Sequence, residues 1–320
     1  MKLCQFYLPD QGARLGQVVA QQVYDLTSSG LSHFTTITAL LQTSTTTTIG
    51  SLLQNVDLPT LPAYAYAELD RPPAPDVPHL LPPADRQEVW AAGVTYAWSR
   101  EARVQEAQSK EIYVRVYEAK RPELFFKSLG EKVVGPNNWI GLRGDSHWNV
   151  PEPELALILN PSMHIVGYTI GNDVSSRDIE GENPLYLPQA KVYRHACALG
   201  PVIALADENT DVSHPMDDQT RAVRLTICRG DADQGGHEAP AHAAESAGVV
   251  FEGKTSTAEI HRSLTELVGY LGRYNDFPYG AVLLTGTGIV PDDDFTLVDG
   301  DLVAIEIEGI GVLHNPARQM

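Results

Sequence analysis

Cysteine is scarce in this chain: Cys4, Cys197 and Cys228 are odd in number, far apart, and share no paired or metal-binding spacing. That excludes a disulfide framework and fits reduced, buried thiols in a cytoplasmic protein. Positive charge is also scarce, with 23 Lys and Arg against 41 Asp and Glu and a net charge of −18. Nucleic acid and anionic membranes both need a basic surface, so neither is an expected partner. No apolar run approaches the ~20 residues that span a bilayer. Residues 1–8 read as a first strand, lacking the long apolar segment and small-residue cleavage site of a secretory signal. No internal repeat is visible. No histidine pair has the spacing of a zinc helix; His237 and His242 lie in a Gly/Ala-rich acidic stretch that reads as a loop.

What is present is ordinary globular material, 43% hydrophobic and 20% charged over 320 residues, enough for two domains or one large one. Residues 1–70 read as a small N-terminal α+β unit. Alternation in Leu3-Cys4-Gln5-Phe6-Tyr7 and Leu15-Gly16-Gln17-Val18-Val19 predicts a short meander, and residues 37–41 and 51–56 are weakly helical. The threonine tract at 43–48 reads as a surface connection, because β-branched residues form poor helix. A proline-rich linker follows at 71–85. From 86 to 320 short strands dominate, at 124–127, 140–142, 201–205, 223–227, 281–284 and 302–307. One helix is expected at 257–274, where Ile260, Leu264, Leu267, Val268 and Leu271 recur at helical spacing, and a polar one at 96–109. The sum is an α+β fold, not a doubly wound sheet.

One stretch carries chemistry. Pro151-Glu152-Pro153-Glu154 leads into an apolar run at 155–159, Asn160-Pro161-Ser162-Met163 reads as a turn, and residues 165–170 return toward Gly171-Asn172-Asp173. Glu152 and Glu154 leave the same face of an extended strand. A hairpin centred between Ser162 and Met163 sets Glu152 across from Asp173 and Glu154 across from Gly171, with facing Cβ atoms roughly 4.5–5.5 Å apart. Three bare carboxylates that close repel one another, and a divalent cation relieves the repulsion. An all-oxygen site of few protein ligands suits magnesium, with manganese and calcium also compatible. On spacing alone, a solvated pair of glutamates explains the pattern equally well, since Pro153 restricts the segment to an edge or a strand start. Asp292-Asp293-Asp294 reads as a solvated turn.

The order of motifs narrows the choice. Pro151-Glu152-Pro153-Glu154-Leu155 is followed by Gly167-Tyr168-Thr169-Ile170-Gly171-Asn172-Asp173-Val174-Ser175-Ser176-Arg177-Asp178, then Lys191, then Leu284-Thr285-Gly286-Thr287-Gly288. This order resembles the fumarylacetoacetate hydrolase superfamily from about residue 86 onward. The resemblance implies a mixed β-sandwich roll, makes Glu152, Glu154 and Asp173 metal ligands, and puts Lys191 in the active site. Segments such as Arg121-Pro122-Glu123-Leu124-Phe125-Phe126-Lys127 and Glu182-Asn183-Pro184-Leu185-Tyr186-Leu187-Pro188-Gln189 are similar to the branch that dehydrates 2-keto-3-deoxy sugar acids. By that resemblance Gln189 and Tyr96 contact a small-molecule 2-keto acid, and the chain forms a homodimer or a dimer of dimers.

One departure bears on the reaction. C–C bond hydrolases of the superfamily carry a histidine three residues after a tyrosine, where it activates water. Here Tyr96 is followed at that distance by Ser99, whose hydroxyl has no usable basicity near neutral pH. The expected reaction is therefore elimination: a magnesium-dependent dehydratase taking a 2-keto-3-deoxypentonate to 2-oxoglutarate semialdehyde and water through a metal-bound enolate. The alternative is a metal-dependent C–C hydrolase or decarboxylase of acylpyruvates. Lys191 is the candidate base at C3 or the group that holds the enolate oxygen, its other reading being a structural ion pair with the acids. Glu123 is the second catalytic candidate, because a carboxylate opening the apolar run Leu124-Phe125-Phe126 sits at an edge or points inward for a reason. Thr287 and the backbone N–H groups around Gly286 are expected to bind the substrate carboxylate. Arg177 and Asp178 are expected to brace the metal loop, and His195 to be structural.

Overall fold

Runs of β-branched and apolar residues make strand the commonest regular structure among the described residues. The computed structural model describes residues 1–96, 115–206, 220–230 and 248–320. The first part supplies β1 (Lys2–Leu8), β2 (Gly12–Val19), β3 (Gln22–Asp25), helices α1 (Ile37–Thr43) and α2 (Ile49–Gln54), β4 (Ala63–Ala65), α3 (Tyr66–Leu69), β5 (His79–Leu81) and β6 (Glu88–Gly93). The middle supplies β7 (Glu123–Leu129), β8 (Ile140–Leu142), β9 (Asn149–Val150), β10 (Pro153–Leu159), β11 (Ile165–Asp173), β12 (Ser175–Ser176), α4 (Arg177–Glu182) and α5 (Leu187–Lys191). The remainder supplies β13 (Cys197–Leu205), β14 (Ala222–Arg229), β15 (Gly248–Ser256), α6 (Leu264–Leu271), β16 (Ala281–Leu284), β17 (Leu302–Ile307) and β18 (Gly311–Gln319).

A large sheet runs β4-β3-β2-β1-β13-β11-β10-β16-β6-β7, with β5 also on β1; a smaller one runs β15-β14-β17-β18-β8, and β9 pairs with β12. The β16–β6 and β18–β8 pairs are parallel and β10–β11 and β17–β18 antiparallel, so both sheets are mixed. Strand β10 shows how the layers stack. Leu155, Leu157 and Leu159 join one apolar core with Val223, Leu225, Ile227, Val303 and Ile305 of the smaller sheet. Ala156 and Ile158 point the other way, into a second core with Ile37, Leu40, Leu41, Leu52 and Leu53 of α1 and α2. A strand covered on both faces must be apolar throughout, which is why this run lacks polar alternation. Sandwich and covering helices together are the α+β roll that the motifs implied.

The segment read as a small N-terminal unit shares its sheet with the rest of the chain, because β1 pairs with β13 (Lys2↔Ala204, Leu3↔Ile203). Thr36 and Thr48 begin α1 and α2 by accepting the Ala39 and Ser51 N–H groups at 3.0 and 3.2 Å. The threonine tract forms the turn between them, as expected. The expected helix at 257–274 is shorter. Ser263 accepts the Glu266 N–H at 3.1 Å and starts α6 there, while Ile260 bridges to Tyr96 in extended conformation. Beyond Tyr96, the polar helix expected at 96–109 lies outside the described residues, as do Ser99, His237 and His242.

Candidate metal centre and active site

The β10–β11 ladder has the register read from the sequence. Glu154 faces Gly171, Pro153 faces Asn172, and the Asp173 N–H donates to the Glu152 carbonyl at 3.0 Å. Pro153 opens β10, the one place in a central strand where a missing N–H costs no ladder bond. The side chains of Glu152, Glu154 and Asp173 converge, with one oxygen from each within 4.8 Å of the others. All three are buried, at 4%, 2% and 1% exposure, so the reading of a solvated pair of glutamates falls away.

Burying three acids requires compensation. Lys191, at the end of α5, donates to Glu152 Oε2 at 2.8 Å, Asp173 Oδ2 at 3.0 Å and Ser175 Oγ at 2.5 Å. Lys127, fully buried on β7, reaches Asp173 Oδ1 at 2.5 Å. Arg177 Nη2 stands 3.4 Å from Glu152 Oε1. Glu154 is served differently, by the Gly286 N–H at 2.5 Å. Burial, then the charges of Asp173 and Glu152, push its carboxyl well above the usual carboxylate range, offset in part by Lys191 and that amide. An oxygen-only donor set in which one acid is left electrostatically unfavourable is the set a hard divalent cation would stabilise.

A small cavity opens over Glu152 and Asp173. Its walls are Ala92, Gly93, Val94, Glu123, Phe125, Glu152, Asp173, Arg177, Glu180, Lys191, Gly286 and Thr287. The structure thus brings together Lys191, Glu123, Gly286 and Thr287 with the acids. Glu123 begins β7, an edge strand, and its carboxylate side of the strand faces this cavity. The Thr287 hydroxyl donates to the Ile289 carbonyl at 3.1 Å and accepts its N–H at 3.2 Å, while the Gly286 amide serves Glu154. Gln189 is exposed on α5 and is not among the cavity walls. Tyr96 is buried, and burial followed by the charges of Glu154 and Glu259 pushes its phenol up; it too is not among the walls.

Asp178 takes the Ser146 hydroxyl at 2.6 Å and the His147 N–H at 2.7 Å, which ties the loop before β9 to α4. His195 packs on Trp139 with ring centroids 3.7 Å apart, and Asp292, Asp293 and Asp294 are exposed. Sequence reasoning does not single out Lys127 or Glu180. Lys127 had one signal, a cation inside the apolar strand Leu124-Phe125-Phe126, where a charge persists only if paired. Glu180 had another, its position three residues after Arg177 on the same helical face.

Comparison with known proteins agrees with this fold. Residues 88–318 match the family model of the fumarylacetoacetate hydrolase C-terminal domain. A probable 2-keto-3-deoxyxylonate dehydratase of Haloferax volcanii is 47% identical over 237 residues, 74% of each chain. A 2-dehydro-3-deoxy-D-arabinonate dehydratase of Saccharolobus solfataricus is 42% identical over 241 residues, again 74% of each chain. The solved structure of 2-keto-3-deoxy-D-arabinonate dehydratase complexed with magnesium and 2,5-dioxopentanoate superposes with a TM-score of 0.72 at 31% identity, covering 100% of this chain and 99% of that one. The layered sheets are thus shared with these proteins, and the chain belongs to the fumarylacetoacetate hydrolase family.

Proposed function

We propose that this protein is a magnesium-dependent dehydratase of a 2-keto-3-deoxy sugar acid, converting a 2-keto-3-deoxypentonate into 2-oxoglutarate semialdehyde and water. The observation that carries the reading is the convergence of Glu152, Glu154 and Asp173 with Lys191 in contact with two of them, in a chain this similar to two dehydratases. Those three acids would hold magnesium, with manganese or calcium as compatible substitutes. A cation held there would supply a Lewis acid that polarises the keto oxygen of a 2-keto acid and acidifies C3, and Lys191 would share the same carboxylates with it.

Lys191, once neutral, takes a proton from C3. Protonated Glu123, another wall residue of the cavity, gives one to the hydroxyl leaving C4, so the C4–O bond breaks as water departs. What remains is a C3–C4 alkene conjugated with the C2 ketone. A proton moves from C5 to C3 to give a C4–C5 enol, whose hydroxyl proton then moves to C4, and the terminal carbon becomes an aldehyde. Thr287 holds the substrate carboxylate, and Tyr96 and Gln189 complete the proposed contacts from outside the walls described above. Ser99 in place of a histidine base favours elimination over hydrolysis. We further propose a cytoplasmic setting, in keeping with the free thiols, and a homodimer or dimer of dimers, which sedimentation will test. No helix among the described residues is long and apolar enough to cross a membrane.

Purified protein with magnesium should turn 2-keto-3-deoxy-D-arabinonate or -xylonate into a semialdehyde, read by a coupled dehydrogenase. Cleavage of acylpyruvates with no semialdehyde would replace this reading with the C–C hydrolase or decarboxylase.

A further inference from the structure

We infer that Gly93 is a positioning residue: the side chain it lacks is the space in which the Glu123 carboxylate lies against β6. The two residues face each other across the β6–β7 ladder, and both line the cavity over the acids. A Cβ placed on Gly93 falls 2.1 Å from Glu123 Oε2, 2.7 Å from its Cδ and 3.3 Å from its Cγ, and these are the three nearest atoms. The obstacle is thus the far end of one flexible side chain, not backbone.

Gly93 does not have a positive φ, so alanine fits its backbone without strain. Gly286, the other glycine of the cavity, is different. Its φ is +89°, and a Cβ there would strike Thr95 Oγ1, so it serves the loop itself. At Gly93 the bare strand lets the carboxylate fold flat across its neighbour, where any side chain would push it away. An ordinary carbon–oxygen contact would require the carboxylate to move by roughly 1 Å, and a displacement of that size at a reacting group costs on the order of 100-fold in rate.

This inference rests on Glu123 acting as the proton donor, and the experiment separates the two. Gly93→Ala, Glu123→Gln and the double variant are compared for kcat and KM with the 2-keto-3-deoxypentonate, for magnesium binding by calorimetry, and for thermal unfolding. A crystal structure of Gly93→Ala completes the set. The expected result is a kcat about 100-fold lower in Gly93→Ala, with KM, magnesium affinity and unfolding near wild type, and a double variant no slower than Glu123→Gln alone. The crystal structure should show the Glu123 carboxylate displaced and the β6–β7 pairing unchanged. A wild-type kcat in Gly93→Ala, losses that multiply in the double variant, or lost magnesium binding would overturn the inference. Wild-type turnover in Glu123→Gln would remove the donor role and this inference with it. Should the wild-type protein dehydrate no sugar acid, the crystal structure alone decides, and an unmoved carboxylate sinks the positioning role.

Discussion

The Lys127 ammonium donates to the backbone carbonyl of Lys191 at 2.5 Å, so one buried lysine holds the main chain of the other. Its remaining contacts are the Val174 carbonyl at 3.0 Å and Asp173 Oδ1 at 2.5 Å. Two carbonyls thus accept its protons while Asp173 supplies the counter-charge, and the residue ties β7 to both the end of β11 and the end of α5.

Replacing Lys127 by methionine keeps the volume and removes the charge, leaving two carbonyls without that donor and Asp173 without that counter-charge. Breaking a buried pair this way costs about 3 kcal/mol or more. Urea unfolding of Lys127→Met should report a loss of that order, and a loss below about 1 kcal/mol would show that the pair is dispensable.

Glu154→Gln preserves the shape of the side chain and an acceptor for the Gly286 amide while removing the charge that ligation needs. Magnesium affinity should fall at least about tenfold with the fold intact, and calorimetry showing unchanged binding contradicts the assignment. The same logic sets a pH dependence. Because the Glu154 carboxyl titrates above the usual carboxylate range and must lose its proton to ligate, wild-type affinity should weaken as pH falls, starting above that range.

Lys191→Ala separates chemistry from metal binding. The variant should lose roughly 100-fold to 10,000-fold in kcat. Magnesium should bind it at least as tightly, since the competing ammonium on Glu152 and Asp173 is gone. Rates within a few-fold of wild type would make Lys191 a structural partner of the acids.

The thiols should divide by burial. Burial pushes Cys4 and Cys197 up to about 12, whereas Cys228 is partly exposed. At neutral pH, a soluble alkylating reagent should label Cys228 first and the other two only on unfolding. The buried thiols keep their protons to a higher pH than the unfolded chain does. Their contribution to stability is therefore complete below the ordinary thiol value of 9.0 and declines as pH rises toward about 12. Rapid labelling of all three in the folded protein would contradict the packing of β1 and β13.

Local pattern sufficed for the hairpin. The turn at Asn160-Pro161-Ser162-Met163 and the period-two geometry of the flanking strands set which residues face each other, so the acids could be paired before any coordinates. The same periodicity placed β8, β16 and β17 at their observed limits. For the helix, apolar spacing was the weaker guide: it runs helically from Ile260 onward, yet the Ser263 cap starts the helix after it.

The sequence by itself therefore determined the hairpin that gathers the three acids, the strand-rich class and the family, because each of these is written in neighbouring residues. Tertiary structure alone decided that β1 would close on β13, that Lys127 would come to rest beside Asp173, and that Gln189 would stay outside the cavity walls while Glu180 joined them. Those outcomes depend on pairings between distant segments, where burial and charge compensation select the arrangement and no local spacing records it.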